Sequence, residues 1–141
     1  MTEPTARTAL FLPAPHDPLE RLLLIAMRRM GAHGLRDANA ALLLFDRFGL
    51  HFQRPLVLLR AYVMELARAS QRQIVLAPCC AARMTEDEGR MIAALALALT
   101  NPAESHRQLG RLCAAAAVDQ PMSICLVLAQ TLADLGRPLV R

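Results

Sequence analysis

Thr85-Glu86-Asp87-Glu88-Gly89-Arg90-Met91-Ile92-Ala93-Ala94-Leu95-Ala96-Leu97-Ala98-Leu99 decides the fold. Thr85 followed three residues later by Glu88 is a capping box, in which hydroxyl and carboxylate satisfy each other's backbone amides. Glu86, Asp87 and Glu88 stand where a helix dipole favours negative charge. Beyond Arg90 the stretch is apolar all round, so a helix over 86 to about 99 must be covered on every side.

The rest of the chain supplies helices to cover it. Of its 141 residues, 55% are hydrophobic, Leu and Ala foremost, and only 4% are aromatic. Leu, Ala, Arg and Met lose little rotamer freedom in a helix. The fold expected is all-α: a single compact bundle of about six helices, packed around the third, fourth and sixth. Residues 1–16, with Pro4, Pro13 and Pro15, read as an extended, partly disordered leader whose Leu10, Phe11 and Leu12 strap onto the helices. Residues 17–141 form the helical domain.

Each helix has its own start and stop. Asp17-Pro18 opens the first, because Asp caps free amides and Pro suits the first helical position; Gly31 and Gly34 stop it. Asp37 starts the second and Gly49 ends it. Pro55 opens an apolar third helix through about Ser70. Ile74-Val75-Leu76 is the tail of that helix or an extended link. Asn101-Pro102 starts the fifth, and Pro121 the sixth, which ends before Gly136.

Charge is distributed unevenly. Every basic residue is arginine or histidine, and the formal net charge is +4. From Arg21 to Met84, ten arginines face only Asp37, Asp46 and Glu65; from Thr85 onward, five arginines face six acids. Such asymmetry means either an anionic partner or attraction between the two halves. Arg28, Arg29, Arg36 and Arg54 are the candidate anion-binding residues. Nucleic acid is nonetheless disfavoured as a partner. The Leu50–Arg54 connector is long for a helix-turn-helix, the third helix is too apolar to read bases, and aromatic stacking platforms are scarce.

Just before the deciding helix stands Pro78-Cys79-Cys80-Ala81-Ala82-Arg83-Met84. If Pro78 began a helical turn, Arg83 would lie one turn from both thiols. A cation and a helix N-terminus favour the reactive thiolate. Cys79, Cys80 and Arg83 are therefore the candidate redox or ligand site. The plainer expectation is that the two cysteines pack as small hydrophobes in the core. Cys113 and Cys125 fall on apolar helix faces, and the four-cysteine spacing matches no common zinc pattern. No metal, cofactor or catalytic residue is expected. The phosphate-binding loop, the dinucleotide fingerprint, the nucleophile elbow and the paired-histidine zinc motif are all missing. Nothing in the sequence requires an enzyme.

The segment Pro-Cys-Cys-x-x-Arg-Met-Thr-x-Asp-Glu, at Pro78 to Glu88, resembles the signature of a small all-helical bacterial protein family with no assigned function. The resemblance implies a cytoplasmic helical domain and carries over no site residue. The absence of a legible signal peptide or membrane span points to the same compartment, with reduced cysteines. The functional expectation is a non-enzymatic interaction or regulatory module. Its excess of apolar surface predicts a homodimer, with another protein partner as a further option.

Overall fold

The computed structural model describes residues 12–139. Among them the chain forms six α-helices and one two-stranded antiparallel ribbon. Strand β1 is Leu12–Pro13, followed by α1 (Pro18–His33), α2 (Ala38–Phe48), a 3-10 turn (Gly49–His51) and α3 (Gln53–Ala69). A link then leads to β2 (Arg83–Met84), α4 (Glu86–Leu97), α5 (Pro102–Cys113) and α6 (Asp119–Asp134). None of these helices is long and apolar enough to cross a membrane.

The local signals act as their chemistry dictates. The Asp17 carboxylate accepts from the Glu20 amide and caps α1. Gly31 lies inside α1; Gly34, at φ 104°, ends it. Asp37 caps α2 through the Ala40 amide at 3.0 Å. The capping box of α4 is complete, with Glu88 N–H donating to Thr85 Oγ1 and Thr85 N–H to Glu88 Oε1. The third and sixth helices each begin two residues before the proline that marked them.

Helix α4 is the central element, packed against α1, α5 and α6, while α3 packs against α1, α2 and α6. Met91, Ile92, Ala94, Leu95 and Ala96 are buried. Two buried hydroxyls find backbone partners on this helix. Tyr62 of α3 donates to the Met91 carbonyl at 2.9 Å, and Ser105 of α5 to the Ala94 carbonyl at 2.7 Å. Burial pushes the Tyr62 phenol well above its ordinary pKa.

Leu12 packs against the core. It pairs with Met84 across the ribbon, and its side chain rests where a Cβ on Gly89 would stand only 2.7 Å away. Leu10, Phe11 and the rest of residues 1–11 lie outside the described residues.

The link across residues 70–82 is not helical, bending at Gln71-Arg72 and turning at Cys79-Cys80, so Ile74-Val75-Leu76 is not a helix tail. It is held by carboxylates from the first turn of α4. Glu88 receives the Arg28 guanidinium through Nε at 2.7 Å and Nη2 at 3.0 Å, with side-chain exposures of 2% for Arg28 and 0% for Glu88. Glu88 also accepts the Ala77 amide at 3.1 Å. Arg28 also donates to the Ala81 and Arg83 carbonyls. Beside it, Asp87 takes both Arg72 Nη atoms at 3.0 Å and the Val75 amide at 2.8 Å. The charge asymmetry between the halves thus finds part of its balance inside the fold.

Removing one member of a buried ion pair strands the other without its partner, at a cost of about 3–5 kcal/mol. Glu88→Gln is expected to lower the unfolding free energy in urea by about 3 kcal/mol. Arg28→Met combined with Glu88→Met should cost clearly less than the two single substitutions summed. Strict additivity in that cycle would show that the two side chains do not depend on each other.

A second pair joins α1 to α2. Arg29 holds Asp37 through two bonds, at 2.8 Å and 3.2 Å. The Arg29 hydrogen bond, helped by the Ala40 amide, lowers the Asp37 pKa from 3.8 to about 2. A depressed carboxylate stabilises the fold fully above its unfolded pKa and loses that effect as the pH falls through the folded one. The stability gap between the natural chain and Asp37→Asn, read by urea unfolding, should therefore narrow from about pH 4 down to about pH 2. A gap constant across that window would rule out the ionised carboxylate as its source.

Candidate functional site

The link exposes its middle. Pro78 to Ala81 forms a tight turn closed by the Ala81 amide on the Pro78 carbonyl at 3.0 Å. Cys79 and Cys80 occupy its two central positions, and both are exposed, free thiols. This corrects the expectation that they pack in the core. Two constraints hold the turn at the surface: Arg28 fastens its Ala81 end, and Glu88 fastens Ala77 just before it. No helix starts at Pro78, so the thiols lack a helix N-terminus. Arg83 does not lie one helical turn away. It sits in β2 opposite Pro13, is exposed, and gives its carbonyl to Arg28.

Arg29 of α1 is held by Asp37, which is the main cause of its raised pKa, with a smaller contribution from Cys79.

The four arginines picked for anion binding divide into two kinds. Arg28 is buried and engaged by Glu88 and two carbonyls, so it is not open to a ligand. Arg29 is committed to Asp37. Arg36 and Arg54 are exposed and carry no ion pair among the described residues. Arg72 was missed as a structural residue, although the charge asymmetry between the halves was the signal for it.

The other two cysteines behave differently. Cys113 and Cys125 are buried, and burial raises both thiol pKa values, that of Cys125 to about 12. Cys125 Sγ lies 3.9 Å from Ser105 Oγ, inside the core. No cluster of three or more His, Cys, Asp or Glu residues able to hold a metal occurs among the described residues. A surface groove of about 740 Å³ lies between the ribbon, α1, α4 and α5, lined among others by Leu12, Glu20, Glu86, Arg90 and Arg111. None of the candidate residues lines it.

One other surface is unusual. Eight of the eleven residues of α2 are hydrophobic, yet only Ala40 and Leu44 are buried. Leu42 is 56% exposed and Phe45 44%, with the Phe45 ring set edge-on to Phe52 at 5.3 Å. Just beyond, Leu50 is 89% exposed, and Val57 on α3 is 59% exposed.

Comparison with known proteins gives a family and no function. No curated protein and no solved structure matches the chain. A model described as "Family of unknown function (DUF6628)" matches residues 1–141, the whole length of the sequence, and the chain belongs to that family.

Proposed function

We propose that this protein is a non-enzymatic helical interaction module of regulatory type, which forms a homodimer through the outer face of α2. The carrying observation is the imbalance of α2, a mostly hydrophobic helix that buries only Ala40 and Leu44. Leu42, Phe45, Leu50 and Val57 extend that apolar surface. Covering it removes apolar area from water at about 25 cal/mol per Å².

The charges around α2 favour a second copy as the cover. Arg36 precedes the Asp37 cap of the helix, and Asp46 stands near its end. Both are exposed, and neither has an ion pair among the described residues. A two-fold contact between antiparallel α2 helices sets the start of one against the end of the other, so Arg36 of each copy faces Asp46 of its mate. The exposed thiols of Cys79 and Cys80 accord with a reducing, cytoplasmic setting.

Sedimentation of the full chain at micromolar concentration should show a dimer, and a monomer would refute the reading. Leu42→Glu should weaken the dimer by at least about tenfold while leaving the monomer folded, since exposed positions contribute little to monomer stability. Arg36→Glu should weaken association as well, and adding Asp46→Arg should restore it. Failure of the double exchange to restore association would reject the antiparallel arrangement.

A further inference from the structure

We propose that Cys79 and Cys80 together form a two-sulfur site for a soft, thiophilic ion of the univalent copper class. Both thiols are free and exposed, at the two central positions of the Pro78–Ala81 turn. Neither packing nor turn chemistry accounts for cysteine there. Free cysteine is among the most buried of residue types, and Cys113 and Cys125 obey that rule. Turn centres favour Gly, Pro, Asn, Asp and Ser, each for a backbone reason that cysteine lacks. What remains to the exposed pair is the chemistry of its two sulfurs.

The turn holds them in place. Its Ala81 carbonyl is tied to the buried Arg28 guanidinium, and Ala77 just ahead of it to the buried Glu88 carboxylate. The Ala81 amide closes it on the Pro78 carbonyl. Along a strand, successive side chains point to opposite faces. A closed turn breaks that alternation, so adjacent thiols can serve one ion.

A direct bond between the sulfurs does not suit adjacent residues. Their Cα atoms stand about 3.8 Å apart across a trans peptide, whereas ordinary disulfides span roughly 4.4–6.8 Å. Sulfurs joined directly lie about 2.05 Å apart. Metal–thiolate bonds run about 2.3 Å each, so an ion between the sulfurs allows them up to about 4.6 Å. The wider bridge closes without drawing the two side chains together.

The donor set selects the ion. Among the described residues, no group of three or more His, Cys, Asp or Glu is placed to hold a metal. Zinc takes four ligands in a structural site, and calcium and magnesium take oxygen. Thiolate is a soft donor that selects univalent copper, an ion satisfied by two sulfurs. On binding, each thiol yields its proton to water and each sulfur gives an electron pair to the ion. Nothing is oxidised or reduced. Binding itself drives off the protons, so no activating cation is required.

The test titrates the reduced full chain with copper(I), without oxygen, against bicinchoninate, whose copper(I) complex is coloured. The protein should withdraw one copper(I) per chain, and the bound ion should shield both Cys79 and Cys80 from iodoacetamide. Cys79→Ser and Cys80→Ser should each weaken binding by about a hundredfold or more, because the remaining thiol has no second sulfur held beside it. Both positions are exposed, so circular dichroism should show the two variants folded like the natural chain. No copper(I) withdrawn, a serine variant binding as tightly as the natural chain, one ion per two chains, or shielding of only one thiol would each overturn the inference.

Discussion

A guanidinium and a carboxylate, both shut away from water, hold the two halves of this chain together. Arg28 comes from the basic half and Glu88 from the first turn of the most buried helix. Desolvating such a pair is costly, and only good geometry with further hydrogen bonds offsets the cost. Here that requirement is met. Glu88 accepts from Arg28 and from the Ala77 and Thr85 amides, while Arg28 also donates to the Ala81 and Arg83 carbonyls. The same side chain thus completes a helix cap and anchors a connector that has little regular structure of its own.

Most of the fold was legible in the sequence, because the helix ends are written in short-range chemistry. Asp17, Asp37, Thr85 with Glu88, and Asn101 each cap a neighbour within three residues. The apolar run after Arg90 had to be central, and it is. The site was less legible. Cys79 and Cys80 looked like core because their neighbours are Ala and Leu. What places them outside is a tie to Arg28, more than fifty residues away. Arg28 and Arg36 look alike in sequence. Only the tertiary position of Glu88 makes the first a buried strut and leaves the second in solvent.

The high apolar fraction has two destinations. Much of it goes into α4 and the faces that cover it, where Leu95, Leu109, Leu128 and Leu132 are buried. Part of the remainder is exposed on α2 and the turn after it, at Leu42, Phe45 and Leu50, while Val57, Met64, Leu99 and Val127 are exposed elsewhere. Singly exposed apolar residues are ordinary; several on one short helix are not. Sequence periodicity alone does not distinguish a helix buried within its own chain from one whose apolar face extends beyond it.

The connector between α3 and α4 has a dynamic consequence. Loops of this kind usually open to solvent before the helices they join. In this chain the Val75, Ala77 and Thr85 amides end on Asp87 and Glu88, in the first turn of α4. Those protons cannot reach water until that turn lets go. The Val75–Ala77 part of the connector therefore opens with the buried helix, although the Cys79-Cys80 turn beyond it is exposed. By topology that part is a loop; by cooperativity it belongs to the core.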